Sequence, residues 1–413
     1  MGFGMIAPFQ CRACRGTRGA LVLDLGVQPL ANNLLSPEDL SKPEPKFPLR
    51  LAVCESCWLL QILDIIPPTR LFSDYPYFSS FSEATLSHAR EAAERYIREF
   101  GLGRGSFVVE VASNDGYLLQ NFTRAGVPCL GIEPAENIAP IAQQKGIETL
   151  VIFFNTETAR QLASTRGQAD LVLGNNVFAH VPDINDFVAS VAGLLKPGGR
   201  CILEFPYAVD FIEQAEFDTI YHEHVFYFSV TALAPLFARH GLTVYHVERL
   251  PIHGGSLRLF AGHAAAHNSD STVANLLAEE ERTGVRSLDY YAGFADRVQE
   301  IRRDLCRLLE KLKGQGKSIA AYGASAKGST LLNHFGLGRE TIDYVVDRST
   351  YKQGRLTPGA HLPIRPVEEL VQRKPDYTLL LTWNFAGEIL RQQTAYRAQG
   401  GKFIVPIPAV TVV

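Results

Sequence analysis

Two Cys-x-x-Cys pairs, Cys11-Arg12-Ala13-Cys14 and Cys54-Glu55-Ser56-Cys57, have a spacing that carries chemistry. Each pair can act as a knuckle supplying two thiolates, and two knuckles complete the tetrahedral four-sulfur shell of a zinc ion. A reducing compartment disfavours disulfides, and a thioredoxin-like redox site needs one such pair on a βα turn. Four protein ligands leave no open position, so the zinc is expected to be structural. The long segment between the pairs is tolerable, because loop-closure entropy grows only logarithmically with length. Cys129, Cys201 and Cys306 stand singly in apolar settings.

A second concentration of reactive groups is Phe217-Asp218-Thr219-Ile220-Tyr221-His222-Glu223-His224-Val225-Phe226-Tyr227-Phe228-Ser229, which follows a strand ending Glu204-Phe205-Pro206-Tyr207. Titratable groups inside an aromatic and apolar frame can have their pKa values moved toward neutrality, as a general base at pH 7 requires. His-x-His beside a Glu is also a metal pattern, but it lacks the third ligand that a catalytic zinc site needs nearby. A solvated surface cluster is the other competing reading.

A third feature is the turn Glu110-Val111-Ala112-Ser113-Asn114-Asp115-Gly116, which follows an apolar strand and opens a helix. It does not match G-x-G-x-x-G, so it provides poorly for a dinucleotide pyrophosphate. The next strand ends in Glu133, about 20 residues on, where a ribose-binding carboxylate is expected. An acid at each strand end and one glycine in the turn suit a nucleoside without phosphates, and S-adenosylmethionine fits. Glu133 is then expected to accept the ribose hydroxyls, the turn backbone around Asn114, Asp115 and Gly116 to lie against the methionine moiety, and Phe154 to sit near the adenine. Glu110 and Asn175, at neighbouring strand ends, complete the cofactor set. The competing reading of Glu133 is a solvated strand-end acid. Ala112 stands where most methyltransferases have Gly, and Lys196-Pro197-Gly198-Gly199 matches a turn that many of them carry before the fifth strand.

The elements needed to position these groups alternate strand and helix from about Phe107 to Phe260, the pattern of a doubly wound, mostly parallel sheet. A long amphipathic stretch, roughly Val273 to Lys313, leads to a second strand–loop–helix unit. Its loop, Gly323-Ala324-Ser325-Ala326-Lys327-Gly328-Ser329, would aim backbone N–H groups and a helix dipole at phosphate oxygens. Lys327 precedes the second glycine, where a P-loop lysine would follow it, so an NTPase is disfavoured. Binding of NAD is a rival on topology, because Asp347 ends the following strand. Three modules result: a zinc unit at 1–75, a cofactor-binding unit at 76–265 and a second Rossmann-like unit at 266–413. The fold class is α/β with a small N-terminal four-cysteine unit.

The chain has 413 residues, 46% of them hydrophobic and 20% charged, with a formal charge of -3. That composition supports folded cores and excludes a disordered tail. No global basic field draws it to nucleic acid or an anionic membrane. No run approaches the ~18 apolar residues of a span, and the start lacks a charged and then apolar leader, so a cytoplasmic protein is expected.

Taken together, these motifs resemble the nucleotide-linked deoxysugar 3-C-methyltransferases, which act on dTDP-4-keto-6-deoxy sugars and the like. The resemblance covers essentially the whole chain: the four cysteines, Ser113-Asn114-Asp115-Gly116, Tyr221-His222-Glu223-His224 through Ser229, His253-Gly254-Gly255-Ser256, and Tyr322 through Gly328. It implies that His224 removes the proton from the carbon to be methylated, with Tyr221, Glu223, His180 and Tyr77, rather than Tyr75, around it. It implies that Ser325 and Lys327 hold a diphosphate and that Asp347, Lys352 and Asn384 line the nucleoside side. Tyr322 belongs to the same substrate set, and His253 and Gly254 would close the sugar end. His222 stands where some relatives have Asp. The implied partner is a dTDP-linked sugar, with no nucleic acid and no membrane, and a monomer is expected. The rivals are an RNA methyltransferase gripping RNA through zinc knuckles and a non-catalytic scaffold with two nucleotide-sensing units.

Overall fold

The computed structural model describes residues 8–252 and 254–413; His253, expected at the sugar end of the site, lies outside them. Three antiparallel strands, β1 (Gly19–Pro29), β2 (Lys46–Cys54) and β3 (Leu60–Ile62), follow the first cysteine pair. The second pair sits in the turn from β2 to β3, so strand pairing delivers one knuckle while Cys11–Gly16 folds back as the other. In both knuckles the residue after the second cysteine, Arg15 and Trp58, is left-handed. Each of these residues sends its N–H to the carbonyl of the first cysteine of its pair, at 3.0 and 2.8 Å.

The middle unit holds five parallel strands, β4 (Val108–Val111), β5 (Cys129–Ile132), β6 (Thr149–Leu150), β7 (Ala169–Asn175) and β8 (Leu195–Pro206). The chain then returns to the zinc unit as β9 (Phe226–Tyr227), which pairs with β3 and completes a sheet of order β1-β2-β3-β9. Antiparallel β10 (Leu242–Leu250) and β11 (Ser256–His263) finish the central sheet, ordered β10-β11-β8-β7-β4-β5-β6. Strand order reverses between β4 and β7, and at such a switch point a crevice opens beyond the carboxyl ends of the strands.

The amphipathic stretch after this sheet is two helices, Ser271–Thr283 and Leu288–Gly314, separated by left-handed Gly284. In the second, Tyr291, Phe294, Val298, Ile301, Leu305, Leu309 and Leu312 are buried at spacings of three and four, the stripe of a helix packed on one face. The last unit contains parallel strands β12 (Ile319–Tyr322), β13 (Val345–Val346), β14 (Ile364–Arg365), β15 (Tyr377–Leu380) and β16 (Lys402–Val405), closed by antiparallel β17 (Thr411–Val412). Its order is β14-β13-β12-β15-β16-β17.

These units are not independent beads. One continuous apolar cluster runs from Phe9 through the central sheet to Ile407. The middle unit also clamps the first knuckle: Asn185 donates to the carbonyls of Arg12 and Ala13 at 2.7 and 3.1 Å, and Arg239 donates to that of Ala13 at 3.0 Å. Buried Glu280, on the helix Ser271–Thr283, accepts the N–H groups of Val230 and Thr231 at 2.8 and 2.7 Å and the Tyr207 hydroxyl at 2.8 Å. A carboxylate at the positive end of the helix Val230–Arg239 satisfies otherwise orphaned donors, and it anchors the residues just after the His-Glu-His segment. No described helix is long and apolar enough to cross a membrane.

Candidate active site

A cavity of about 700 Å³ opens at the carboxyl ends of β4 and β7 and is lined by all three units. On the middle unit, Ala112, Asn114, Glu133, Phe153, Phe154 and Asn175 form one end. Glu133 is buried, and each of its oxygens accepts one backbone N–H, from Asn114 and from Ala135, both at 2.8 Å. Burial pushes its carboxyl up, and the two hydrogen bonds oppose that shift. Glu133 also lines the cavity. Ala112 and Asn114 both adopt left-handed backbone, at φ 53° and 50°, which explains the usual Gly at the first position. Such strain concentrates where a loop is shaped around a ligand.

The side chains of Asn114 and Asp115 are both engaged with protein. The Asn114 side chain accepts the Ser79 N–H at 2.9 Å and donates to the Tyr77 carbonyl at 3.0 Å. Asp115 accepts from the Ser80 hydroxyl and N–H. Both side chains therefore tie down the strap of residues 77–80 that covers the turn, leaving the turn's backbone toward the cavity. Gly116 is left-handed, and a Cβ there would lie 2.3 Å from Ile147 Cδ1, so its role is close packing. Among the described residues, Glu110, Asp115 and Gly116 do not line the cavity. Glu110 lies buried with neither carboxyl oxygen partnered by protein, pushed well above the usual carboxyl range by burial and then by the charges of Glu133 and Asp115. Phe154 is buried edge-on to Phe187, with ring centroids 5.6 Å apart, and Asn175 hydrogen-bonds Tyr117.

The expectation that Glu133 accepts two ribose hydroxyls is open to a direct test. A Glu133→Ala protein is expected to bind S-adenosylmethionine about 3 kcal/mol more weakly, roughly a hundredfold by titration calorimetry, with zinc content unchanged. An unaltered Kd would remove Glu133 from the cofactor site.

At the opposite end of the cavity, His224 and Tyr221 form a dyad. The Tyr221 hydroxyl lies 2.7 Å from His224 Nε2, and His224 Nδ1 lies 2.9 Å from the Thr219 carbonyl. A carbonyl only accepts, so Nδ1 carries the proton and Nε2 offers its lone pair to the tyrosine. Burial, and then His180 with its ring centroid 4.8 Å away, holds His224 well below the ordinary imidazole range, so it is a neutral base. Burial likewise lowers His180 to about 4, and its Nδ1 has no protein partner.

Glu223 stands behind this pair rather than on the cavity wall. Its carboxylate accepts the Asn32 side-chain amide at 2.8 and 2.9 Å and the Tyr75 hydroxyl at 3.1 Å, and burial raises its pKa to about 7. The tyrosine in contact with the cluster is therefore Tyr75. Tyr77 lines the cavity but is exposed, with its ring centroid 6.5 Å from that of Tyr75. His222 turns away: its Nε2 donates to the Pro48 carbonyl at 3.1 Å and its ring meets Phe47 edge-on at 5.9 Å, so it fastens this segment to β2.

The third unit closes the cavity with Ser325, Lys327, Asp347, Lys352 and Asn384. Ser325 caps the helix Ala326–Phe335 by accepting the Gly328 N–H at 3.1 Å. Asp347 accepts the N–H groups of Ala324 and Ser349, both at 2.8 Å, and Lys352 donates to the Ala324 carbonyl at 2.8 Å, so these two side chains brace the loop. Lys327 is the largely buried cation here, 3.8 Å from Glu216 and 4.7 Å from the centre of the Trp383 ring, and its Nζ has no hydrogen-bond partner. Glu216 is raised to about 7 by burial, with Lys327 opposing. Gly254 is left-handed at φ 95°, and a Cβ there would meet Glu216 at 2.3 Å, so it packs on this carboxylate. Neither Gly254 nor Tyr322 lines the cavity.

The four cysteine sulfurs lie within 4.8 Å of one another, with Cys11–Cys57 at 3.5 Å and Cys14–Cys54 at 3.6 Å. A tetrahedron with bonds of about 2.3 Å has edges of about 3.8 Å, so this cage fits zinc. The Gly16 and Ser56 N–H groups point at the Cys14 and Cys54 sulfurs, at 3.4 and 3.3 Å. The Cys54 thiol is pushed far down by hydrogen bonds from Cys11 and Cys57, while Cys11 is pushed up to about 12 through the same bond to Cys54. Crowded thiols cannot all ionise beside one another, and a bound cation removes that conflict.

Three family models divide the chain: a zinc binding domain over residues 11–72, a methyltransferase domain over 85–247 and a C-methyltransferase C-terminal domain over 251–408. The chain is 40% identical over 405 residues to C-methyltransferase NovU of Streptomyces niveus, covering 98% of this chain and 96% of that one. It is 32% identical over 123 residues to a ubiquinone biosynthesis O-methyltransferase of Rhodopseudomonas palustris, covering 29% and 48% of the two chains. A solved structure of magnesium protoporphyrin IX methyltransferase from Synechocystis PCC 6803 with bound SAM aligns with 43% of this chain and 79% of its own, at 16% identity and a TM-score of 0.34. The residues matched as a methyltransferase domain include those of the cofactor end of the cavity, so S-adenosylmethionine is the nucleoside cofactor and zinc the metal of the cysteine cluster.

Proposed function

This chain belongs to the C-methyltransferase family, and we propose that it methylates C-3 of a nucleotide-linked 4-keto-6-deoxysugar by deprotonating that carbon to an enolate. The observation that carries the reading is the partly buried His224–Tyr221 dyad, its imidazole kept neutral by desolvation, facing the same cavity as Glu133 and Lys327. When bound, S-adenosylmethionine supplies an electrophilic methyl on a sulfonium. A sugar C–H is not nucleophilic unless an adjacent ketone lets an enolate form, so the protein must supply a base and a partner for the oxygen.

His224 Nε2 takes the C-3 proton once the Tyr221 hydroxyl turns from the imidazole to the keto oxygen, where it donates to the developing oxyanion. The Thr219 carbonyl holds the Nδ1–H and stabilises the imidazolium that results. His180, buried and kept neutral, presents a second polar edge to the same space. Glu223, clamped by Asn32 and Tyr75, fixes the backbone between Tyr221 and His224. Holding the two reactants in line in a dry cavity contributes much of the rate, through proximity. The loop carrying Ser325 and Lys327 would take the diphosphate, with Lys327 as its buried cation, and Asn384 would contact the nucleoside. The absence of a strong basic field leaves the RNA reading without support.

The test is mass spectrometry of the purified enzyme with S-adenosylmethionine and a panel of dTDP-, GDP- and CDP-linked 4-keto sugars in D2O. Expected are a product one methylene heavier and wash-in of deuterium at C-3. Silence across the panel, with calorimetry showing bound cofactor, would move the acceptor outside deoxysugar chemistry.

A further inference from the structure

The turn that precedes the base is held by the third unit almost residue by residue. Glu216 faces Lys327 at 3.8 Å, and the Phe217 ring stacks on Phe335 at 4.9 Å. The Asp218 carboxylate accepts the Trp383 indole N–H at 2.7 Å, and the Ile220 carbonyl accepts the Thr330 hydroxyl at 2.9 Å. Between these last two anchors lies Thr219, whose carbonyl accepts His224 Nδ1–H at 2.9 Å and the Tyr227 hydroxyl at 3.1 Å. All four anchors come from two elements of the third unit that also border the cavity: the helix Ala326–Phe335, with Lys327 in its first turn, and the turn Trp383–Phe385, which carries Asn384.

We propose that Trp383 and Thr330 are positioning residues for His224: by pinning Asp218 and Ile220 they aim the Thr219 carbonyl that selects the Nδ1–H tautomer, so the substrate-binding unit sets the geometry of the base. This rests on the assignment of His224 as the base. The physical case is that Asp218 and Ile220 flank a single peptide carbonyl, and each is fixed by a buried hydrogen bond from a donor that has an alternative only in losing it. The Trp indole N–H is donor-only, and the Asp218 carboxylate has one oxygen on it and one without a protein partner. With either anchor gone the turn can rotate, the Thr219 carbonyl moves off Nδ1, and the imidazole is free to protonate at Nε2, where it can no longer accept a proton. A displacement of about 1 Å at a reacting group can cost up to about a hundredfold in rate. Any ligand that tightens the helix Ala326–Phe335 or the turn Trp383–Phe385 thereby acts on the base from the far side of the cavity.

The test is histidine-selective nitrogen-15 NMR on the full zinc-loaded chain, with the His224 signals assigned by their loss in His224→Gln, beside steady-state methyl transfer to the reactive sugar of the panel. The wild type is expected to show His224 as the Nδ1–H tautomer alone. Trp383→Phe, which keeps an aromatic ring under Lys327, and Thr330→Val, which keeps the volume, are each expected to show mixed tautomers. For each, kcat should fall about tenfold with both KM values within about twofold, the size expected for one buried hydrogen bond. Thr330→Ser, which restores the hydroxyl, should recover both the tautomer and kcat. Unchanged His224 signals in the doubly substituted protein, or a loss confined to KM, would overturn the proposal. The tautomer is read without turnover, so a fully active His224→Gln would remove the base assignment while the anchoring result stood or fell separately.

Discussion

His224→Gln is expected to bind S-adenosylmethionine with wild-type affinity and to lose methyl transfer by about 10³-fold, within the range for removing a general base. The expectation follows from position and protonation together. His224 faces the cavity, its Nδ1 proton is committed to the Thr219 carbonyl at 2.9 Å, and its Nε2 lone pair is the basic atom that remains. Glutamine keeps hydrogen-bonding capacity and much of the volume but has no basic lone pair at neutral pH. The decisive reading is exchange of the C-3 proton in D2O, which should vanish with turnover while calorimetric cofactor binding persists. A variant within about threefold of wild type would show that another group removes the proton. The sign of the pH dependence is also fixed. The imidazole must be neutral to act, and burial with His180 beside it lowers its pKa, so protonation disables it only below the ordinary imidazole value. The acid limb of kcat/KM should therefore fall below about pH 6.5 and disappear from the residual rate of His224→Gln.

Removing the metal is expected to cost the fold of the first unit and, with it, the reaction. Structural zinc contributes about 10–16 kcal/mol in small zinc domains, comparable to the whole net stability of about 5–15 kcal/mol of an ordinary domain. Cys54→Ser, at the end of β2, should drop the metal content measured by plasma mass spectrometry from one zinc per chain toward none. Hydrogen exchange should then rise across β1, β2 and β3. Activity should fall in parallel, because Asn32, which holds Glu223, the Pro48 carbonyl, which holds His222, and β3, which pairs with β9, all belong to that unit. A Cys54→Ser protein with full activity and native exchange protection would show that the cysteine cage is dispensable. Because these contacts lie beside the His-Glu-His segment, chelation should leave Glu133 and its binding of cofactor less affected than turnover.

Most of the fold was legible from local signals. The two cysteine knuckles, the strand–turn–helix around Asn114 and the one around Ser325 are encoded within a few residues each, where chain connectivity alone brings the groups together. The zinc cage and the α/β sheets are of that kind. The turn around Asn114 and Asp115 is legible as one that offers its backbone to a ligand, while the partners of the two side chains, in the strap at residues 77–80, are not, because they lie 35 residues away. The linker was legible as amphipathic, while its break at Gly284 was hidden among other glycines.

What no spacing could reveal are contacts between residues far apart in the chain. The choice of Tyr75 over Tyr77 for Glu223 depends on how the strap crosses a different unit, and both tyrosines carry the same local signature. Asn32 looked like a residue of the long connection between knuckles, yet it reaches Glu223 across 191 positions. His222 and His224 share a segment and a residue type, and packing against Phe47 and Pro48 turns the first into a fastener while the second lines the cavity. Trp383 and Thr330 carried no motif at all. The sequence by itself determined which chemical groups exist and which short turns present them, because those depend on local backbone geometry and periodicity. Which of those groups meet, and so which histidine faces the cavity and which acid Asn32 and Tyr75 clamp, was decided by tertiary structure. Burial and hydrogen bonding between distant segments set orientation and pKa, and those are properties of the packed assembly.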